Sequence, residues 1–322
     1  MQAIQILQTG GPEALTLREL PTPTPGPSEA LIRIEAAGVN FIDVYFREGR
    51  YPAQLPYTLG QEAAGIIIAL GPDTSGDFKV GDRVAWCSIP GTYAQLALAP
   101  VSRLVHVPDA VSMQQAAAAM LQGMTAHYLA HSAYSIRPGD EVLVHAGAGG
   151  TGLLLTQIAK SLGARVFTTV SNEEKAELSR TAGADEIILY TREDFAAAVK
   201  RLAPAGLHAV YDSVGKTTFD QSLSILRPRG TMVLFGASSG PVPPFDLIRL
   251  SQVGSLYVTR PSLKDYIASR EELEQRAGDV LSSVADGSLN LRIEHVYPLA
   301  DAIHAHQDLE GRKTTGKLLL IP

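Results

Sequence analysis

The 322-residue sequence contains a single cysteine, Cys87, and a single tryptophan, Trp86. One cysteine excludes an intrachain disulfide and a four-thiolate metal site, and beside Trp86 it reads as a small buried hydrophobe. Long apolar runs are missing as well, since no stretch approaches the ~20 residues that a membrane helix requires. The N-terminal MQAIQILQTGG has no basic n-region and no apolar core, so no signal peptide is expected. Basic runs are equally scarce. With 27 Lys+Arg against 33 Asp+Glu the formal net charge is −6, which argues against binding a nucleic-acid backbone. These absences leave a cytoplasmic globular protein as the expectation. A 45% hydrophobic content and this length suit two domains, each with its own core.

Within that frame the chain changes texture twice. Residues 21–27, PTPTPGP, cannot form a helix or a central strand, because proline fixes φ and removes donors. Apolar runs of strand length at 30–37, 63–70 and 84–89 follow, separated by turn signals such as Val80-Gly81-Asp82. They predict a mostly β region, with helical, alanine-rich sequence from about 113 to 130. Between 140 and 236 strand-length runs alternate with helical segments. Strands are predicted at 141–146, 165–170, 186–190, 209–214 and 231–235, and helices at 150–162, 173–182, 195–202 and 218–226. In the first of these helices Leu154, Ile158 and Leu162 form an apolar stripe. This alternation implies a doubly wound parallel α/β sheet. The last 60 residues return to mixed α and β and end in a strand at 317–322.

The sharpest local motif is Gly147-Ala148-Gly149-Gly150-Thr151-Gly152, set between a predicted strand and a predicted helix. A G-x-G-x-x-G run in that context is a dinucleotide fingerprint. Gly147 is assigned to the tight turn, Gly149 to close approach of the pyrophosphate, and Gly152 to packing of helix on strand. The Gly150 and Thr151 amides at the helix N-terminus then face the phosphates. At the end of the second strand an NAD site usually carries an acidic residue for the ribose 2′-hydroxyl. Here the strand ends in Ser171 and Asn172, and Glu173 and Glu174 read as first-turn helix residues. Ser171, Lys175 and Tyr190 offer a hydroxyl, a cation and a phenol to a 2′-phosphate, so NADPH is favoured over NADH. Phe235, Gly236 and Ser238 end the fifth strand, where cofactors bind.

Several further segments carry a family resemblance. They are Gly38-Val39-Asn40-Phe41-Ile42-Asp43, Leu59-Gly60-Gln61-Glu62, Val80-Gly81-Asp82-Arg83-Val84, Gln122-Gly123-Met124-Thr125-Ala126, Tyr211-Asp212-Ser213-Val214-Gly215 and Ser255 to Arg260. Together they resemble the zinc-free medium-chain dehydrogenases/reductases, in particular the bacterial NADPH:quinone oxidoreductases related to ζ-crystallin. The resemblance spans essentially the whole chain. It implies a GroES-like, mostly β catalytic domain from residues 1–123 and 264–322, a Rossmann NADPH-binding domain at 124–263, an active site in the interdomain cleft, and a homodimer. Zinc-dependent relatives carry Cys and His where this chain has Asn40 and Gln61, and amides are poor zinc ligands, so no metal is expected.

By the same resemblance Asn40, Asp43, Tyr45, Tyr51 and Gln61 line the acceptor side, Thr125 lies near the cofactor, and Arg312 is a candidate for the adenosine phosphate. Asn40 is a donor to the acceptor's carbonyl oxygen, Tyr45 or Tyr51 a stacking platform or proton donor, and Asp43 equally a helix cap. The expected reaction is NADPH-dependent reduction of a quinone by hydride transfer. One alternative is an alkenal or enone reductase on the same scaffold, which requires protonation at the α-carbon. The other is a non-catalytic, crystallin-like NADPH-binding protein. Two histidine pairs stand outside the pattern. His127 and His131, at i, i+4, read as a packed or solvated pair, and His304 and His306 receive no role.

Overall fold

The computed structural model describes every residue except Ser75 and Arg312, so the expectation for Arg312 lies outside the described residues. The chain forms two compact units, one from Met1–Met124 with Ile267–Pro322 and the other from Thr125–Tyr266.

In the first unit, β1 (Gln2–Ile6) pairs antiparallel with β2 (Thr16–Glu19) and β4 (Tyr57–Thr58). The larger sheet is built on β3 (Glu29–Val39) and β5 (Glu62–Leu70), followed by β6 (Arg83–Cys87) and β8 (Val105–His106), with β7 (Leu96–Pro100) also on β3. The prolines of 21–27 lie in irregular chain between β2 and β3, as their missing donors require. Two strands from the far end of the chain, Ile293–Pro298 and Lys317–Ile321, complete the sheet. The last strand runs antiparallel to β3, with Leu318 opposite Val39 and Leu319 opposite Gly38. That register carries the residue before Leu318, Lys317, to the residue after Val39, Asn40. Ile4, Ile32, Leu59, Trp86, Tyr93, Leu318 and Leu320 belong to the core of this unit. Cys87 is buried there, and burial pushes its thiol up to about 12, so it is an inert hydrophobe. Helix α1 (Phe41–Arg47) springs from the end of β3, and α2 (Met113–Tyr128) is the expected alanine-rich helix.

The second unit holds β9 (Glu141–His145), β10 (Arg165–Val170), β11 (Glu186–Leu189), β12 (Leu207–Asp212), β13 (Leu226–Leu234) and β14 (Tyr257–Thr259). Their order is β11-β10-β9-β12-β13-β14 and every ladder is parallel, the doubly wound sheet read from the alternation. Helices α3 (Gly150–Ser161), α4 (Glu173–Thr181), α5 (Phe195–Leu202), α6 (Phe219–Leu223) and α7 (Ile248–Gln252) connect the strands. Two details depart from expectation. In α3 the most deeply buried residues are Leu155, Thr156 and Ala159, while Ile158 is only half-buried. Leu154 of the expected stripe is buried beside them, while Leu162 is also only half-buried. The helix expected over 218–226 ends at Leu223, because Leu226 already pairs with Leu207 in the sheet.

Candidate active site

The order of strands reverses between β10 and β12 on either side of β9, and ligands of such sheets bind beyond the strand carboxyl ends at that point. The glycine-rich run lies there, and its backbone refines the roles read from sequence. The left-handed turn residue is Ala146, at φ 54°, rather than Gly147. Gly147 is required for room: a Cβ on it would stand 2.5 Å from Thr168 Cβ. On Gly152 a Cβ would collide with the Ala146 carbonyl oxygen, so only glycine lets α3 start this close to β9. At Gly149 a Cβ would meet nothing of the protein closer than the Ala146 oxygen at 3.3 Å, which leaves that face open to a ligand. Helix α3 has no side-chain cap on its first amides. Uncapped N–H groups at the positive end of a helix fit a pyrophosphate.

The Phe235 N–H donates to the Asp212 carbonyl oxygen at 2.9 Å and the Ser238 N–H to that of Ser213 at 3.1 Å, tying the ends of β12 and β13 together. Asp212 organises that turn, accepting from the Val214 and Gly215 amides and the Thr218 hydroxyl. Gly236 is glycine because a Cβ would strike Ser213 O. Ser171 follows β10 and Tyr190 follows β11. The Tyr190 N–H donates to Val170 O at 3.2 Å, and the Thr191 hydroxyl donates to Ser171 O at 2.8 Å. Asn172 caps α4 by accepting the Lys175 N–H, and Glu173 and Glu174 occupy its first turn as expected. Thr125 is buried in α2. Sequence reasoning passed over Arg192, which pairs with Glu173 beside Ser171, and His145, buried at the end of β9. The His145 ring nitrogens bond the Thr169 and Ser222 hydroxyls, and burial keeps the ring neutral.

In the first unit the residues expected on the acceptor side fall into two groups. Tyr45 and Tyr51 belong to an aromatic series with Phe41, Phe46 and Tyr57. Tyr45 packs edge-on to Tyr51 at 5.5 Å, and Phe46 contacts both Tyr51 and Tyr57. Tyr51 is partly exposed, as a stacking platform needs to be. Gln61 donates to the Tyr57 hydroxyl at 3.0 Å, and burial raises that phenol to about 12.

Asn40 and Asp43 are both held by polar neighbours. The Asn40 side-chain oxygen accepts from Lys317 Nζ at 2.8 Å and Gln122 Nε2 at 3.2 Å, while its Nδ2 donates to Glu62 Oε1 at 2.7 Å. Only its second N–H, on a long 3.4 Å contact to Gly38 O, is weakly held. Asp43 is completely buried; its Oδ2 accepts the Asn40 backbone N–H and the Tyr93 hydroxyl. It holds the start of α1, the capping role.

Behind Asp43 runs a hydrogen-bond chain that gives His306 the role it lacked. Tyr93 Oη lies 3.2 Å from His306 Nε2, and His306 Nδ1 lies 3.0 Å from Arg47 Nη1, which also pairs with Glu310. A guanidinium only donates, so Nδ1 accepts, Nε2 carries the proton, and every donor in the chain points toward Asp43. In the other histidine pair the His127 and His131 rings lie 4.4 Å apart.

Two family models match the chain: an alcohol dehydrogenase GroES-like domain over residues 26–109 and a zinc-binding dehydrogenase over 150–282. A quinone oxidoreductase of Pseudomonas aeruginosa is 45% identical over 322 residues, covering 99% of each chain. A 2-haloacrylate reductase of a Burkholderia species is 39% identical, covering 100% of this chain and 99% of its own. Among solved structures, Escherichia coli quinone oxidoreductase complexed with NADPH matches with a TM-score of 0.98 at 42% identity, covering 100% of both chains. The chain belongs to the quinone oxidoreductase family of medium-chain dehydrogenases/reductases. The zinc in the description of one family model does not fit this member. The Lys317 ammonium lies between Asn40 and Glu62, and a second cation against an ammonium is repelled. Among the described residues no three His, Cys, Asp or Glu side chains cluster as ligands. The glycine turn and the uncapped α3, by contrast, fit the dinucleotide that quinone oxidoreductases of this family have been solved with.

Proposed function

We propose that this protein reduces quinones with NADPH by hydride transfer, without a metal. The observation that carries the reading is the amide and ammonium set at Asn40, Gln61 and Lys317 in place of metal ligands. A quinone becomes a stabilised aromatic hydroquinone on reduction, so it needs orientation and a dry site more than a Lewis acid. Bound NADPH supplies the hydride to the quinone, and a proton from solvent completes the hydroquinone. The chain's own residues do the rest. Gly147, Gly149, Gly150, Thr151 and Gly152 receive the pyrophosphate, Ser171, Lys175 and Tyr190 the 2′-phosphate, and Thr125, Phe235, Gly236 and Ser238 the nicotinamide half. Tyr51 stacks on the flat acceptor with Tyr45 supporting it edge-on, Gln61 lines it, and the second N–H of Asn40 meets its oxygen. Asp43 acts by holding Asn40. A cytoplasmic location belongs to the same reading.

A second reading, reduction of an activated carbon–carbon double bond, is favoured by the 39% identity to a 2-haloacrylate reductase. Steady-state oxidation of NADPH by the chelator-treated protein, with 1,4-benzoquinone against a simple 2-alkenal, separates the two. Faster turnover of the quinone supports the proposal, and preference for the alkenal replaces it with enone reduction. Tight NADPH binding with neither turnover leaves a non-catalytic binding protein. The 2′-phosphate assignment has its own test. Lys175→Ala should lower kcat/KM for NADPH by about tenfold or more, the worth of a charge-assisted hydrogen bond, and leave NADH nearly unchanged. An equal loss with both cofactors would sink it.

Homodimer formation is also part of the proposal. Strand β14 lies at the sheet edge, and Tyr257 on it is 62% exposed, with Leu247 at 72% and Ile248 at 55% nearby. An open edge bearing apolar side chains is a template for a second copy of itself. Sedimentation should give a dimer for the wild type and a monomer for Leu247→Lys/Tyr257→Lys. A dimer in both moves the interface elsewhere.

A further inference from the structure

Glu62 and Lys317 form an ion pair that composition gave no reason to expect, with side chains 0% and 2% exposed. Each charge is built in from several elements. Glu62 Oε2 accepts the Leu121 N–H of α2 at 2.6 Å, and Oε1 takes both the Lys317 ammonium and Asn40 Nδ2. Gly38 makes the space, since a Cβ on it would collide with the Glu62 carboxylate. Lys317 in turn donates to Asn40 Oδ1 at 2.8 Å, alongside Gln122.

An asparagine amide is nearly symmetric in shape, so only its neighbours decide which end is oxygen. At Asn40 an anion faces the nitrogen and an ammonium faces the oxygen, which fixes one orientation. In that orientation the weakly held group is an N–H. In the opposite one it is an oxygen, which would repel the negative charge that develops on a reduced carbonyl.

We propose that Lys317 is a positioning residue of the acceptor site, whose ammonium orients the Asn40 amide so that it offers a donor to the substrate. This rests on the reading of Asn40 as the acceptor-side donor. It places a determinant of turnover on the last strand of the chain, remote in sequence from every motif of the family resemblance. Lys317 touches no reacting atom in this scheme, because its hydrogen bonds go to Asn40 and Glu62.

The test separates charge balance from orientation. Lys317→Met alone strands the Glu62 carboxylate and should lower Tm sharply. The pair Lys317→Met with Glu62→Gln removes both charges and should recover most of that Tm, because a neutral pair needs no counter-charge. Turnover should not recover with it. Expected for the double variant is a kcat on quinone down by about tenfold or more, with KM for NADPH unchanged. The Asn40 side-chain amide, observed by NMR in selectively labelled protein and identified by its loss in Asn40→Ser, should give one slowly exchanging pair in the wild type. In the double variant it should give two sets or an averaged, fast-exchanging one. Recovery of kcat together with Tm would overturn the proposal, and so would an unaltered amide pair beside a fallen kcat. If the wild type reduces no quinone, the proposed function fails, and the amide signals still decide whether Lys317 orients Asn40.

Discussion

Asp43→Asn is expected to steepen the rise of stability with pH between about pH 4 and 6.5 relative to the wild type. Burial raises the Asp43 carboxyl from 3.8 to about 7, and this outweighs its hydrogen bonds to Asn40 and Tyr93. Below its folded pKa the native protein keeps a proton that the unfolded chain gives up. Asp43 therefore contributes stability that is present below 3.8 and is lost as pH rises through about 7. His306 works in the opposite sense. Burial first, and the Arg47 guanidinium second, lower it from 6.5 to about 3. The unfolded chain binds a proton there that the native ring refuses, so this contribution is present above 6.5 and lost as pH falls toward 3.

Each group contributes a slope of about 1.4 kcal/mol per pH unit, and over their shared window the two oppose one another. An amide at position 43 keeps an acceptor for Tyr93 and for the Asn40 N–H but does not titrate. The uncompensated His306 slope should then appear, amounting to about 3 kcal/mol across the window. His306→Gln should do the reverse and make the variant lose stability, relative to the wild type, as pH rises from 4 to 6.5. Urea unfolding of the three proteins at several pH values measures the differences. Parallel curves for wild type and Asp43→Asn would show that Asp43 is ionised throughout, and the hydrogen-bond chain would then have to carry a full charge.

Gly152→Val is expected to abolish NADPH binding, with affinity falling on the order of a hundredfold or more as several amide–phosphate hydrogen bonds are lost. The Ala146 carbonyl oxygen blocks any Cβ at position 152, and both sides of that contact are backbone. Helix α3 must then back away from β9, taking its uncapped amides out of place, and the sheet loses the close packing of Leu155 and Ala159. Tm should fall together with affinity. Gly149→Ala is the informative contrast. Its Cβ meets only the Ala146 oxygen at 3.3 Å, so the protein should keep nearly all its stability while the pyrophosphate loses its close approach. Calorimetric titration of NADPH beside thermal unfolding reads both variants. Wild-type affinity in Gly149→Ala would mean that the phosphates do not cross that glycine.

The contrast between these two glycines shows where sequence reading stops. The motif and its place between a strand and a helix were legible, because the 2-residue and 3.6-residue periods on either side are local properties of the chain. Which glycine answers which constraint was not legible. The left-handed turn residue is Ala146, and Gly147 is needed because Thr168, twenty-one residues later, lies against it. The apolar stripe of α3 was legible only in part: Leu154 is buried, while Ile158 and Leu162 are half-buried because the most buried face runs through Leu155, Thr156 and Ala159.

Taken alone, the sequence determined the doubly wound sheet, the mostly β region, the dinucleotide turn, the neutral side chains in place of metal ligands, and the family. All of these rest on spacing within a short stretch or on the identity of residues in motifs. Only the tertiary structure decided what surrounds those residues. Lys317 reaches Asn40 because the last strand pairs in register with β3, across 277 residues of chain. His306 acquires a fixed tautomer because its helix brings it between Tyr93 and Arg47. Asp43, which the sequence left between an acceptor-side carboxylate and a cap, holds the start of α1 as a buried cap for the same reason. Desolvation and hydrogen-bond partners are properties of a three-dimensional neighbourhood, and charged residues that open apolar strands, Lys317 in Lys-Leu-Leu-Leu-Ile and Glu62 in Glu-Ala-Ala-Gly-Ile, are sequence signals that such a neighbourhood exists.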